Sequence, residues 1–267
     1  MMIKFRQIWD AKKGHPILKE IDKNESWNFD FGEDIGMLLF GQWFPAIRYG
    51  HPCYVGTFNF PIRLKFIHNP LPPVEANPDE IRKSKGWNLE EWIKSAQELE
   101  NEGVKAIVTG CGITGTMQKD LTQAVNIPVF TSTIQFIPQI YYSMKKDKKI
   151  GILTVSSKLL TRWDNLLFRM CEVDPSIPVI IEGMTESEYS NIWWSQLEKD
   201  YDPEKVGLSL LKVAEEMLNK NPDIGAIVCE CTEMPLYTGI IREKIGIPIF
   251  DANDMIEFAY QLVSNLK

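Results

Sequence analysis

From about residue 88 to the C-terminus, short apolar runs alternate with stretches of helical periodicity. The clearest helical stretch puts Val206, Leu210, Val213 and Met217 on one face, backed by Leu211, Ala214 and Leu218. Pro203-Glu204 opens it and Asn221-Pro222 closes it. Val- and Ile-rich runs at 104–109, 127–130, 149–154, 178–181, 224–228 and 247–250 are bounded by Gly, Pro or Lys. Runs of this kind fit strands covered on both faces in a parallel sheet. Their alternation with helices predicts an α/β fold with right-handed crossovers. Segment 41–86 breaks the pattern, with Pro at 45, 52, 61, 70, 72, 73 and 78 and aromatic residues between them. It predicts a long loop with a short strand near 62–67, lying over the cleft of the first half, as long loops often cover substrate. Segment 184–202, with Trp193-Trp194, is the matching insertion in the second half. Its tryptophans suit packing under a loop, a subunit contact or ligand binding.

The same pattern repeats at an offset of 120 residues. Ala106-Ile107-Val108 returns as Ala226-Ile227-Val228, Cys111 as Cys231, and Ile127-Pro128-Val129-Phe130 as Ile247-Pro248-Ile249-Phe250. Leu121 and Val125 are matched by Ile241 and Ile245. Each copy reads as a buried strand, a cysteine at its carboxyl end, an amphipathic helix and a second short strand. Ile35-Gly36-Met37-Leu38 and Ile150-Gly151-Ile152-Leu153 form a second echo upstream of the two units. The chain is therefore expected to form two doubly wound parallel-sheet domains related by pseudo-two-fold symmetry, with a cleft between them. Residues 1–134 plus 252–267 are expected to form the first domain and 135–251 the second, the C-terminal helix at 252–266 returning to the first.

Composition narrows the function. A 267-residue chain that is 44% apolar can bury a large core. Its formal charge of -7 argues against nucleic acid or an anionic membrane surface as partner. No apolar run approaches the roughly 20 residues of a membrane span, and the first 14 residues carry scattered charges with no secretory h-region. Five cysteines, an odd number, do not read as a disulfide framework. Reduced thiols in the cytoplasm are the expectation.

Two of those thiols carry the candidate chemistry. Cys111 and Cys231 each follow a buried strand and precede a helix, at the sheet edge where open α/β folds bind ligands. Backbone N–H groups of a first helical turn can hold a substrate carboxylate. The same dipole end is expected to lower a thiol pKa and favour a thiolate. Thr232, and Thr114 in the first copy, can add hydroxyl donors. Thiols facing each other across a cleft suit removing a proton from one face of a carbon while adding one to the other. Cys53, Cys171 and Cys229 read as small core residues.

The residues around the two cysteines give a resemblance. Cys231-Thr232-Glu233 is similar to the Gly-Cys-Thr-Glu motif of aspartate racemases, with Glu230 in place of the glycine. Gly110-Cys111-Gly112 with Pro128-Val129-Phe130-Thr131-Ser132, Met234-Pro235, and Phe60-Pro61-Ile62 resemble an uncharacterised branch of the aspartate/glutamate racemase superfamily. The resemblance runs from about residue 35 onward. It implies cofactor-independent two-base racemisation: one thiolate removes the proton α to a carboxylate, and the other thiol donates one to the opposite face. By it, Cys111 and Cys231 are the acid/base pair. By it too, Thr232 helps hold the carboxylate. Thr131, Ser132 and Ser156, each just after a strand, are further substrate-site candidates, as are Gly112, Thr114 and Glu233 beside the cysteines. Homodimerisation is a further implication. Amino-acid racemases of this group follow the first cysteine with Asn-Thr, where this chain has Gly112-Ile113. That departure points away from simple aspartate or glutamate, toward a less polar carboxylate or a hydantoin-like cyclic amide.

Gly110-Cys111-Gly112-Ile113-Thr114-Gly115 matches the G-x-G-x-x-G dinucleotide fingerprint, but Phe130-Thr131-Ser132-Thr133 offers no acidic residue for a ribose. Cys229-x-Cys231 alternates across a strand, and the three histidines all lie in the first quarter, so no metal site is expected. The sequence thus points to an isomerase, a racemase or epimerase that inverts the carbon α to a carboxylate or amide. Two alternatives stay open: a cis–trans isomerase of an unsaturated diacid using a cysteine nucleophile, and a non-catalytic two-lobed carboxylate-binding protein.

Overall fold

A computed structural model describes residues 5–10, 15–20, 32–40, 47–54, 56–67 and 89–266. The stretches 41–46 and 68–86 of the early loop lie outside the described residues. The first two strands, β1 (Phe5–Asp10) and β2 (His15–Glu20), form an antiparallel pair with Asp10 opposite His15, which the periodicity had not predicted.

The remaining strands form two four-stranded parallel sheets. The first contains β3 (Ile35–Phe40), β4 (Ile62–Ile67), β5 (Ala106–Thr109) and β6 (Val129–Phe130), in the order β4-β3-β5-β6. The second contains β7 (Lys149–Thr154), β8 (Val179–Gly183), β9 (Ile224–Cys229) and β10 (Ile249–Phe250), in the order β8-β7-β9-β10. Numbered within its own half, each sheet runs 2-1-3-4. The registers coincide as well. Ile35 pairs with Ala106 and Ile107 with Val129 in the first sheet, as Ile150 pairs with Ala226 and Ile227 with Ile249 in the second. The two sequence echoes are thus the first, third and fourth strands of a duplicated sheet. In the first sheet the third and fourth are shorter than their apolar runs, starting at Ala106 and Val129 rather than at 104 and 127.

Helices cover both faces of each sheet. On the first sheet, Trp92, Ala96 and Leu99 of the helix Leu89–Asn101 pack with Leu38, Ile107 and Val129. On its other face Ile256, Ala259 and Val263 of the helix Ala252–Val263 pack on Ile35, Met37, Ala106 and Val108. On the second sheet, Val206, Leu210 and Met217 of the helix Pro203–Lys220, with Tyr237 and Ile241 of the helix Pro235–Lys244, cover Leu153 and Ile227. Ile137, Leu167 and Phe168 cover Ile150, Ile152 and Val228 from the opposite side. This is the doubly wound α/β arrangement, and burying both faces explains why the central strands β3, β5, β7 and β9 are apolar through most of their length, while the edge strand β4 carries Arg63 and Lys65. The helix before each third strand approaches its first strand at a glycine. A Cβ at Gly36 would lie 2.9 Å from Leu99 Cδ1, and one at Gly151 2.7 Å from Met217 Cε.

The two halves meet along the carboxyl ends of β5 and β9. Thr133 Oγ1 donates to the Cys229 carbonyl at 3.0 Å, and Thr232 Oγ1 donates to the Gly110 carbonyl at 3.0 Å. Gly115 leaves room for Leu167 Cδ1, 2.5 Å from where its Cβ would be. The glycines of the apparent dinucleotide fingerprint thus sit in close packing contacts. Arg48 stacks on the Tyr201 ring at 4.9 Å, joining the described part of the early loop to the segment that follows Trp194.

Candidate active site

Both repeat cysteines open onto one cavity of about 210 Å³. The first half contributes Cys111, Gly112 and Ile113, and the end of β7 contributes Thr154 and Val155, with Leu159 and Leu160 just beyond. Trp193, Trp194, Gln196 and Leu197 come from the 184–202 segment, and Glu230, Cys231, Thr232 and Glu233 follow β9. Among the described residues no lysine, arginine or histidine lines it.

The local structure after each cysteine differs from a simple strand-to-helix junction. Cys111 leads into a 3₁₀ turn, Gly112–Met117, before the helix Gln118–Ala124 begins. Two glycines and two threonines in Gly112-Ile113-Thr114-Gly115-Thr116-Met117 disfavour an α-helical start. After Cys231 a turn closed by Met234 N–H on the Cys231 carbonyl precedes the helix, which starts at Pro235 because proline suits that first position. In both copies the sulfur accepts the backbone N–H two residues on, from Ile113 and from Glu233.

The expected lowering of the thiol pKa is overturned. Burial pushes both thiols well above the ordinary value, and neighbouring carboxyls push further: Glu230 then Glu233 at Cys111, Glu233 then Glu230 at Cys231. These outweigh the single N–H bond each sulfur receives, and neither cysteine sits at an α-helix start. The Cys231 thiol donates to Glu233 Oε2. Burial raises Glu233, an effect that this thiol donor partly offsets. Glu230 is 6% exposed; burial lifts it to about 7 against the Thr154 Oγ1 hydrogen bond to Oε2 at 2.8 Å. Two acids and two thiols with no basic partner on the wall form a site able to hold and exchange protons.

Of the residues expected at the substrate site, Gly112, Thr232 and Glu233 lie on the cavity wall beside the two cysteines. The structure does not bring Thr114, Thr131, Ser132 or Ser156 to that wall. Thr114 Oγ1 is spent on the Cys111 and Thr131 carbonyls at 2.5 and 3.0 Å. Thr131 Oγ1 donates to Gln118 Oε1 at 2.6 Å, and Ser132 caps the following turn at Ile134 N–H. Ser156 caps the helix Ser157–Leu160 and donates to Glu186 at 2.6 Å. Glu230, Thr154 and Gln196 are wall residues the sequence reading had not selected. Of these, Glu230 had a signal: a carboxylate between two cysteines at the end of an otherwise apolar strand. Among the described residues no cluster of His, Cys, Asp and Glu suits a metal ion.

Comparison with known proteins places this site in a family. The sequence model of the Asp/Glu/hydantoin racemase family matches residues 67–256, and the chain belongs to that family of enzymes. Among curated relatives, a dimethylsulfoniopropionate lyase of Durusdinium sp. clade D is 26% identical over 212 residues, 72% of this chain and 70% of that protein. Dimethylsulfoniopropionate lyase 7 of Emiliania huxleyi (strain CCMP1516) is 27% identical over 180 residues, covering 66% of this chain and half (50%) of the relative. Among solved structures, an aspartate racemase homologue from Pyrococcus horikoshii OT3 superposes with TM-score 0.54 at 16% identity, covering 87% of this chain and 100% of that one. Glutamate racemase from Francisella tularensis, solved with D-glutamate, gives TM-score 0.51 at 18% identity, over 87% of this chain and 81% of that one. A variant of arylmalonate decarboxylase gives 0.55 at 12%, over 87% and 94%. At these identities the structures establish the two-domain α/β fold. No helix among the described residues is long and apolar enough to cross a membrane.

Proposed function

We propose that this protein is a cofactor-independent enzyme that removes the proton α to a carboxylate or amide, using Cys111 and Cys231 as a two-sided acid/base pair. The observation that carries this reading is the placement of the two thiols. Each follows the third strand of its half, and both face one cavity. In a racemase or epimerase, one thiolate takes the α-proton, the enediolate charge builds on the substrate, and the opposite thiol returns a proton to the other face. The thiols are raised, so the thiolate forms at a cost that substrate binding has to offset. The walls argue against a dicarboxylate substrate. Glu230 and Glu233 already bring two carboxyls into a cavity that no basic side chain among the described residues lines, and a second substrate carboxylate would meet like charge. This also weighs against the unsaturated diacid.

The lyase relatives favour a second outcome of the same first step. Once the α-proton has moved to a thiolate, the electron pair can form a carbon–carbon double bond and expel a leaving group from the β-carbon. With dimethylsulfoniopropionate the carbon–sulfur bond breaks, dimethyl sulfide leaves with the bonding pair, and acrylate remains. Its positive sulfonium suits a cavity walled by Trp193, Trp194 and acidic groups.

Two measurements on the full chain divide these readings. Chiral carboxylic acids and hydantoins are incubated in deuterium oxide and followed by NMR, and dimethylsulfoniopropionate is assayed for dimethyl sulfide in the headspace. α-Deuteration with loss of optical activity supports the racemase, and sulfide release supports the lyase. Cys111→Ala and Cys231→Ala are each expected to lower the racemase rate by about 10²–10⁴-fold. Neither exchange nor release with any candidate defeats both outcomes and leaves the carboxylate-binding protein.

A further inference from the structure

Gly112 and Glu230 come from opposite halves and occupy one space. A Cβ at Gly112 would overlap both the Glu230 carbonyl oxygen and its side-chain Oε1. The glycine that leaves the first half without a side-chain donor after its cysteine is therefore filled from across the cleft by a carboxyl. That carboxyl lies on the cavity wall beside Cys111, 6% exposed. Its Oε2 accepts the Thr154 hydroxyl at 2.8 Å. Thr154 is itself buried at the end of β7, so the orientation is fixed by the second half's own sheet.

Among the described residues, the other ionisable groups around it give Glu230 no cation. Glu233 faces it from the turn after β9 and disfavours its charge. Its own charge is felt by the Cys111, Cys171 and Cys231 thiols. Burial and Glu233 hold its pKa near 7, so the neutral acid is abundant at neutral pH. In that neutral acid Oε2 keeps its role as acceptor from Thr154, and the proton resides on Oε1, the oxygen over Gly112.

We propose that Glu230, as the protonated acid, donates a hydrogen bond from Oε1 to the substrate's carboxylate and is a specificity-determining residue of the site. Thr154 is its positioning residue. This deepens the proposed function, since it rests on a substrate that carries a carboxylate. To a wall that, among the described residues, holds no lysine, arginine or histidine, it adds an acid donor that tolerates an anion because it is itself uncharged when the anion is present. Binding then carries a proton with it. The one covalent change is an O–H bond on Glu230: free enzyme with ionised Glu230 takes one proton from solvent as the carboxylate enters.

The test is binding of propanoate to the full chain between pH 5.5 and 8.5, followed by tryptophan fluorescence because Trp193 and Trp194 line the cavity. The wild-type Kd is expected to be flat below the break near pH 7 and to rise about tenfold per unit above it. Glu230→Gln keeps a donor that does not titrate, and is expected to bind with a Kd independent of pH. Glu230→Ala is expected to bind about 10- to 100-fold more weakly at pH 6. Thr154→Val removes the bond that favours the charged form, so its break moves to higher pH. A flat wild-type profile, an unchanged slope in Glu230→Gln, or no saturable propanoate binding at pH 6 overturns the proposal. Because binding is read without turnover, failure of exchange and elimination would leave this slope intact, and the two readings fail separately.

Discussion

Glu230 and Glu233 are buried with no cationic partner on the cavity wall among the described residues, which makes the site costly to the fold in a pH-dependent way. The direction follows from proton counts. Between pH 4.5 and about 7 the folded state holds the Glu230 proton and the unfolded state has released it. Stability from this group is fully present below pH 4.5 and is lost as pH rises through about 7. The shift corresponds to about 3 kcal/mol at most. Urea denaturation of Glu230→Gln should therefore show a flatter pH profile than wild type over this window, and greater stability at pH 8. Parallel profiles would mean that Glu230 titrates as an ordinary surface carboxyl. At this scale the sequence disclosed the residues that are duplicated or belong to a motif: Cys111, Cys231, Thr232 and Glu233. Thr114 near the helix start and Thr131 and Ser132 just after a strand are candidates by position, but such hydroxyls also serve the fold: Thr114 bonds the Cys111 carbonyl, Thr131 the Gln118 side chain, and Ser132 the Ile134 N–H. In the sequence Glu230 stands only as the residue in place of the motif's glycine. Only packing shows it buried.

The secondary elements were legible where periodicity and caps agree. The helix Pro203–Lys220 begins and ends where Pro203 and Asn221-Pro222 predict, and Asp202 caps it by accepting from the Glu204 and Lys205 N–H groups at 3.0 and 3.2 Å. Asp202→Ala is expected to cost about 0.5–2 kcal/mol, read from the urea midpoint with the slope unchanged. A shift smaller than this would mean that solvent satisfies those N–H groups equally well. The junctions after the cysteines were less legible. A strand followed by an apolar-periodic segment suggested a helix directly after each thiol. The glycine-threonine turn at 112–117 and the start fixed by Pro235 instead set each helix several residues beyond its thiol. The inference of a dipole-lowered thiol failed with that geometry, since the effect fades within the first turn.

At the scale of the molecule, the duplication decides where chemistry can occur. Two sheets of the same order and register bring two third strands, and so two thiols, to one boundary. That boundary is held by side chain-to-backbone bonds, among them Thr133 to the Cys229 carbonyl. Thr133→Val keeps the shape and strands a buried acceptor. It is expected to cost about 1–3 kcal/mol of global stability, measured by thermal or urea unfolding. No measurable loss would mean that the carbonyl finds another partner. The sequence by itself determined the α/β class, the repeat and the pair of cysteines, because strand burial, helix periodicity and duplication are local or periodic patterns that survive in one dimension. Tertiary structure alone decided the electrostatics. It raised the thiols instead of lowering them, lined the cavity with carboxyls and tryptophans, and set the Glu230 carboxyl over Gly112. Burial and approach across the cleft depend on residues more than a hundred positions apart, and no periodicity encodes them.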